Sequence, residues 1–363
     1  MRVIQVAPTP FGGSGLLGGG ERYPLELGRA LAGHVDCELV TFGPRPEVGR
    51  DPSGLTVRVL RPVMTLGHPT RVLAPSLPAV LRGADVVHTH QLRSTPSRVA
   101  AVAARARRQV VVTTDHGMGG GGWAGLLPAL FHRFLTVSAS SADTLAVPRE
   151  KVRVVYGGVD TSRFAPEPPA HRDGVLFVGR ITPHKGIDRL IEALPPGVSL
   201  TIAGSAGHDP RPPERDYPRL LERLAAGRDV RFVGPVPDDA LADLYRQARV
   251  VVLPSVTRTR YGREHAISEL LGLVVLEAMA SGTPVVCSDL GGLPEVVAHG
   301  ETGFLVPPGN VAALRARLEE LFADPARAER MGAAGRRRVL DRFTWAACAR
   351  RCLDAYAELM AAR

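Results

Sequence analysis

Between Leu270 and Ala280 the chain reads Leu-Leu-Gly-Leu-Val-Val-Leu-Glu-Ala-Met-Ala, an apolar run interrupted only by Gly272 and Glu277. A helix this hydrophobic must be buried on most sides, so a sizeable domain has to form around it. A carboxylate inside such a helix is costly unless it meets a partner. Glu269 lies eight residues before Glu277, at the entry to the helix. Were the segment helical throughout, the two carboxylates would stand roughly 12 Å apart along the axis. That span suits an extended ligand with hydroxyls at both ends and an anion in the middle. Gly272 lets the backbone approach the anion, and the first free N–H groups, at Gly272 and Leu273, point towards it. A buried core helix with two structural glutamates is the competing explanation, and the spacing alone does not separate the two.

A length of 363 residues predicts about two domains, each able to bury its own core. The formal net charge is +9 and comes from arginine, since Lys151 and Lys185 are the only lysines. A basic chain can bind nucleic acid, an acidic membrane surface or an anionic substrate. Arginines are spread along this one, no basic run is interleaved with aromatics, and Arg336-Arg337-Arg338 reads as a solvated helix face. Nucleic-acid binding is therefore disfavoured. Cys37, Cys287, Cys348 and Cys352 show no metal-ligand or disulfide-framework spacing, which points to reduced thiols in a cytoplasmic protein. The chain enters a strand at Val3 without a cationic, long-apolar leader, and no stretch has the length of a membrane span.

Val3–Ala7, the glycine-heavy loop from Gly12 to Gly20 and the helical spacing of Leu25, Leu27 and Leu31 predict strand, loop and helix. That is the opening of a doubly wound α/β unit. The loop lacks the dinucleotide fingerprint, but Gly18 and Gly19 could bring backbone N–H groups to a diphosphate; a surface turn is the alternative. Strands are expected at 37–41, 56–59, 86–88 and 110–113, which argues for a parallel sheet with crossovers. His88-Thr89-His90 and Thr114-Asp115-His116 then follow strand ends, where open α/β sheets bind ligands. Asp115 is placed to orient the His116 ring, and Met118 to Trp123 would form a glycine-rich flap with an aromatic platform. Further strands are expected at 134–138 and 152–156. Glu167-Pro168-Pro169-Ala170-His171 is the candidate linker, with domains at 1–165 and 172–345.

The second domain opens on a buried strand, Val175–Val178, followed by Gly179-Arg180-Ile181-Thr182-Pro183-His184-Lys185-Gly186. Arg180 and Lys185 can converge on one anion from this loop, the first as a bidentate donor and the second as a point charge. Two solvated cations would be the bland explanation. Strands at 200–204, 230–234 and 250–254 alternate with helices at 190–194 and 241–248, and amphipathic helices are expected at 311–321, 326–339 and 344–363.

Glu269, seven residues, Glu277 and then Ala-Met-Ala-Ser-Gly-Thr-Pro-Val-Val resemble the signature of retaining nucleotide-sugar glycosyltransferases, the large glycosyltransferase family four. Gly292–Glu295 and His299-Gly300-Glu301-Thr302-Gly303 resemble the segment that follows it in that family. Phe343-Thr344-Trp345 resembles the marker before its last helix, which crosses back onto the first domain at about 346–363. The resemblance implies two facing Rossmann-like domains, the GT-B architecture, with the active site in the cleft. It also implies retaining transfer of a hexosyl-type sugar from a UDP- or GDP-linked donor to a hydroxyl acceptor, which could be a glycan, a lipid-linked sugar or a small natural product. No cofactor or metal is implied beyond the nucleotide sugar, and no Asp-X-Asp signature stands out. By the same resemblance, Arg180, Lys185 and the Gly272 and Leu273 amides serve the diphosphate. Glu277 serves the ribose, Glu269 and His116 the donor sugar, Val236 the nucleobase, and Gly18 and Gly19 the donor from the first domain.

Two departures stand out. Residues 256–268 form an insertion rich in cations, and Leu270-Leu271 replaces the common Gly-Phe. A sugar-nucleotide epimerase of the same fold and a catalytically silent nucleotide-sugar-binding protein are the other readings. The implied setting is cytoplasmic, with peripheral contact at the inner membrane surface compatible with the charge. Donor sugar, acceptor and oligomeric state are not legible.

Overall fold

Runs such as Val3-Ile4, Val86-Val87 and Val110-Val111-Val112 are wholly buried, and strands covered on both faces belong in parallel sheets flanked by helices. The computed structural model describes residues 1–8, 19–65, 71–116, 126–167, 172–206, 214–265 and 269–362, and it contains two such sheets. The chain divides into two compact units, Met1–Gly157 with Trp345–Arg363, and Gly158–Thr344. Residues 158–165 therefore belong to the second unit, and the expected boundary at 165 moves back to Gly157.

In the first unit the elements follow in order as β1 (Arg2–Val6), α1 (Gly19–Ala32), β2 (Asp36–Phe42), β3 (Glu47–Arg50) and β4 (Thr56–Leu60). The short pair β5 (Met64–Thr65) and β6 (Val72–Leu73), α2 (Leu77–Val80), β7 (Val86–His90) and α3 (Thr95–Ala106) come next. β8 (Val110–Asp115), β9 (Arg133–Thr136), α4 (Ala139–Asp143) and β10 (Val152–Val154) complete the run. The sheet order is β10-β9-β8-β7-β1-β2-β4-β3, parallel except where β3 pairs antiparallel with β4. β3 is exposed along its whole length, so it has no apolar run by which to find it. The order reverses direction between β1 and β7, the kind of switch point outside which doubly wound sheets bind ligands.

The second unit contains β11 (Asp173–Val178), α5 (Ile187–Ala193), β12 (Leu200–Ala203), α6 (Tyr217–Ala225), β13 (Val230–Gly234), α7 (Asp238–Gln247) and β14 (Ala248–Leu253). It continues with α8 (Leu273–Ala280), β15 (Val285–Ser288), α9 (Leu293–Val296), β16 (Gly303–Val306), α10 (Val311–Ala323) and α11 (Pro325–Arg342). Its sheet is β13-β12-β11-β14-β15-β16, with every pair parallel and a switch point between β11 and β14. The last helix, α12 (Trp345–Ala361), belongs to the first unit and packs on α1. Tyr23 of α1 stands edge-on to Trp345 at 5.2 Å, and its hydroxyl lies 3.3 Å from Cys348 Sγ.

Three local expectations are corrected. Gly19 and Gly20 form the first turn of α1 rather than part of the glycine loop. His88, Thr89 and His90 are the last residues of β7 itself rather than residues beyond its end. α8 starts only at Leu273, with Gly272 as its left-handed cap (φ 85°), so the Glu269–Glu277 distance is not a helical one. No helix among the described residues is long and apolar enough to cross a membrane.

Candidate functional site

Polar side chains collect at the C-terminal edge of each sheet, beside its switch point. In the second unit, β11 ends at Val178 and β14 at Leu253, and their exit loops are held together by backbone alone. The Val256 N–H donates to the His184 carbonyl at 2.8 Å. Gly186 (φ 68°) turns the chain so closely against β14's loop that a Cβ there would lie 2.1 Å from the Pro254 carbonyl oxygen. Only glycine fits that approach.

This joint places Lys185, which follows β11, against Glu269, which follows β14: Lys185 Nζ pairs with Glu269 Oε1. The Ser255 hydroxyl donates to the same oxygen at 2.5 Å. Glu269 is buried and the Lys185 side chain largely so, so their attraction is far less screened than on a surface. The Glu269 backbone is fixed as well. Gly291 (φ 59°) passes so near that a Cβ would sit 2.0 Å from the Glu269 carbonyl oxygen, and the Gly292 N–H donates to that oxygen at 3.3 Å. Arg180 leaves the end of β11 exposed, with no hydrogen bond or ion pair to its guanidinium among the described residues.

Beyond Glu269, Gly272 caps α8, and the Val275 and Leu276 amides bond back to its carbonyl. Leu273 is half-buried in the first turn, where helix N–H groups lack an internal acceptor. Glu277 is buried, and its Oε2 accepts the hydroxyl proton of the fully buried Tyr245 of α7 at 2.8 Å. The carboxylate thus has a core partner, which the sequence reading left open. Val236, half-buried between β13 and α7, lies at the same sheet edge but two strands from β11.

The insertion forms a small hairpin from Thr257 to His265. The backbones of Arg258 and Glu264 pair antiparallel, and the His265 N–H donates to the Thr257 carbonyl at 2.7 Å. Arg260 pairs with Glu192 and lies 3.5 Å from Asp188, both on α5, and Arg263 reaches Glu214 at 2.8 Å. At the hairpin's base the His265 ring stands 4.7 Å from His184. Burial, then the charge of Lys185, pushes His184 down to about 3, so this imidazole is neutral beside Lys185.

In the first unit His116 follows β8 directly, half-buried. Its ring stacks on His90 and stands edge-on to Tyr23 at 4.9 Å, with His116 Nε2 3.3 Å from His90 Nδ1. His90 Nε2 lies 2.8 Å from the Gln5 side-chain amide oxygen Oε1, which only accepts. His90 therefore carries its proton on Nε2 and accepts at Nδ1. His116 must donate from Nε2, which leaves its Nδ1 as an acceptor. His88 continues the cluster, 2.7 Å from both Tyr356 Oη and Thr114 Oγ1. Burial pushes His116 down to about 4 and His88 to about 3, and lowers His90 as well. All three are neutral at pH 7. Gly18 and the Met118–Trp123 flap lie outside the described residues.

D-inositol 3-phosphate glycosyltransferase of Streptomyces bingchenggensis is 30% identical over 99% of this chain and 89% of its own. The chain belongs to the glycosyltransferases. The family described as glycosyl transferases group 1 matches residues 159–338, and glycosyltransferase family 4 matches residues 17–163. α-Maltose-1-phosphate synthase of Mycolicibacterium smegmatis is 36% identical over 60% of this glycosyltransferase, a match spanning 59% of that enzyme. Sucrose-phosphate synthase of Thermosynechococcus elongatus superposes over both whole chains with a TM-score of 0.74 at 25% identity. Anabaena HepE in complex with UDP-glucose, at 21% identity and a TM-score of 0.75, shares the fold. The fold is GT-B, built from two Rossmann-like α/β units.

Sequence reasoning about this glycosyltransferase missed Ser255, Tyr245 and Gln5, and it named His90 without its pairing to His116. Ser255 is two residues past the end of β14, so the position of the switch point was the signal that would have found it. Tyr245 carried no signal beyond its place on the apolar face of a helix.

Proposed function

We propose that the enzyme moves a hexosyl group from a UDP- or GDP-linked donor to a hydroxyl acceptor, with retention at the anomeric carbon and without a divalent metal. The observation that supports this best is the pairing of Lys185 with Glu269 just before the start of α8 at the second unit's switch point, with the exposed Arg180 on the same loop after β11. The bond to be broken joins the anomeric carbon to a phosphate oxygen. Negative charge develops on the diphosphate as the sugar becomes oxocarbenium-like, and preorganised donors lower that barrier.

In this reading Arg180 offers its guanidinium fork, Lys185 a point charge, and the Gly272 and Leu273 amides complete the cradle. Lys185 then exchanges part of its bond to Glu269 for the diphosphate, and Glu269 turns its second oxygen to the donor-sugar hydroxyls. Glu277 takes the ribose hydroxyls and Val236 lines the nucleobase. His116 accepts a sugar hydroxyl proton at Nδ1, and Gly18 and Gly19 approach the donor from the first unit. The leaving phosphate oxygen receives the acceptor proton, so the chain supplies no separate general base. The names of the relatives agree with the class: one is a GDP-mannose-dependent mannosyltransferase, 31% identical over 77% of this chain. The reading places the enzyme in the cytoplasm or at the inner membrane surface, with a glycan, lipid-linked sugar or small natural product as acceptor.

Incubation with a panel of UDP- and GDP-sugars tests it. Release of free diphosphate with glycoside formation is expected, and it should survive EDTA. Epimerised donor without diphosphate release, binding without turnover, or EDTA-sensitive turnover restored by Mg²⁺ would each overturn part of the reading.

A further inference from the structure

The insertion at 256–268 has no part in the transfer proposed above, yet it starts and ends beside the ion pair. Ser255, the residue before it, donates to Glu269 Oε1 at 2.5 Å, and Glu269 follows His265 by four residues. Its hairpin is tightly tied within itself. The Thr259 N–H donates to the Arg263 carbonyl at 2.8 Å, and the Gly262 N–H to the Thr259 carbonyl at 2.9 Å. Thr259 is buried, and its hydroxyl oxygen accepts from the Arg263 N–H at 3.2 Å.

Two arginines fasten this hairpin to elements that follow β11 and β12. Arg263 reaches Glu214, in the turn before α6, at 2.8 Å, and Tyr261 stands edge-on to Tyr217 of α6 at 6.4 Å. Arg260 pairs with Glu192 and lies 3.5 Å from Asp188 Oδ2. Asp188 is buried and comes three residues after Lys185. Its Oδ1 accepts the Tyr217 hydroxyl proton at 2.8 Å, and its N–H donates to that hydroxyl oxygen at 3.1 Å. Oδ2 has no hydrogen bond. Among the described residues the cations within ion-pair distance of it are Arg260 and, at 3.6 Å, Arg189. A buried carboxylate needs its charge balanced, so Asp188 draws Arg260, and the hairpin with it, onto the start of α5.

Lys185 therefore lies on a segment gripped from both sides. On one side the His184 carbonyl accepts from the Val256 N–H, and the His184 ring faces His265 at 4.7 Å. On the other, Asp188 holds Arg260. We infer that Arg260 is a positioning residue for Lys185: by clamping the hairpin to α5 it fixes residues 184–188 and leaves only the lysine side chain free to move. A cation held this way loses little freedom when it is shared between Glu269 and an arriving anion, which is the benefit of preorganisation. The arrival of a diphosphate there rests on the donor reading above; the clamp does not.

The test uses the full chain with UDP as the probe. Arg260→Gln removes the clamping charge and Arg260→Lys keeps it, while Arg258→Gln removes the same charge from an exposed position of the same hairpin. Amide hydrogen exchange without ligand reads the clamp itself. The Lys185, Gly186 and Val256 amides are expected to exchange severalfold faster in Arg260→Gln and at the wild-type rate in Arg258→Gln. Calorimetry reads the consequence. UDP affinity should fall about tenfold in Arg260→Gln, the size of one charge-assisted contact, and recover in part in Arg260→Lys. In a Lys185→Met/Glu269→Gln background, where the buried pair is removed whole, adding Arg260→Gln should cost no further affinity, because a positioning residue acts only through the group it positions. Exchange no faster than in Arg258→Gln, no recovery with lysine, or the same affinity loss with and without Lys185 would each overturn the proposal. If the wild type does not bind UDP, the donor reading falls and hydrogen exchange alone decides the clamp.

Discussion

The two sheets end at their switch points in side chains of opposite chemistry. The second unit ends in an ion pair, Lys185 with Glu269, with the exposed cation Arg180 nearby. The first unit ends in neutral imidazoles, His88, His90 and His116, relayed to Gln5 and Tyr356. A buried carboxylate has to keep its charge compensated, and Lys185 supplies that compensation to Glu269. Burial without a carboxylate does the reverse for the histidines and removes their charge. One edge thus carries a buried ion pair, the other neutral hydrogen-bonding rings. The same strand-end geometry serves both, and the difference lies in whether an acid was placed beside the base.

The largest effect should come from dismantling the charged edge. Arg180→Ala/Lys185→Ala is expected to reduce transfer by about 2–5 kcal/mol of transition-state stabilisation, read as turnover at saturating donor. The single variants should differ in stability. Arg180 is exposed, and its loss should leave the melting temperature unchanged. Lys185→Ala leaves Glu269 without its cation and should cost about 3 kcal/mol of folding stability. Lys185→Met/Glu269→Gln should recover that stability without recovering activity. Turnover within a fewfold of wild type in Arg180→Ala/Lys185→Ala would show that neither cation serves the leaving group.

The neutral edge breaks with acid. The folded-state pKa values of His116 and His88, about 4 and about 3, lie below the ordinary 6.5. As pH falls below about 6.5 the unfolded chain takes up protons that the folded chain refuses. Stability present above 6.5 is therefore lost progressively towards pH 4, with His116 alone accounting for roughly 3 kcal/mol. Melting temperatures measured from pH 7 to pH 4 should fall less steeply in His116→Asn. Parallel curves for the two proteins would mean that His116 already titrates normally in the fold.

What was legible in the sequence follows the same division. β11 and β14 and the long C-terminal helices could be read because their apolar residues announce both period and burial. Arg180, Lys185, Glu269 and Glu277 were legible because charge in apolar company is conspicuous. The pairing of Lys185 with Glu269 was not, since it depends on Gly186 and Gly291 letting backbones approach across strands that are distant in sequence. The His90–His116 relay was equally hidden. Ending the expected strand at His88 left the His90 ring outside the sheet, whereas pairing of His90 with Thr114 draws it in.

The smallest of these effects should come at Glu277, where both kinds of environment meet. Its helix is as apolar as the sequence suggested, with Val275, Leu276 and Met279 fully buried, yet its carboxylate already accepts a hydrogen bond from Tyr245. In Glu277→Gln the amide oxygen can still accept that bond, so the melting temperature should change little. Tyr245→Phe tests the bond from the other side and should cost about 1 kcal/mol of stability with no direct effect on the nucleotide. A ribose needs an acceptor for two hydroxyl protons, which the amide satisfies only in part. Charged hydrogen bonds are worth roughly 1.5–3 kcal/mol, or about tenfold to a hundredfold in affinity. Glu277→Gln is therefore expected to weaken UDP or GDP binding by that factor in calorimetry, while Glu269→Gln spares nucleotide binding and damages turnover. If Glu277→Gln instead binds nucleotide normally and melts several degrees lower, the Tyr245 bond is the whole role of this carboxylate. The apolar helix would then be core, with the ligand-facing chemistry confined to the Lys185–Glu269 edge.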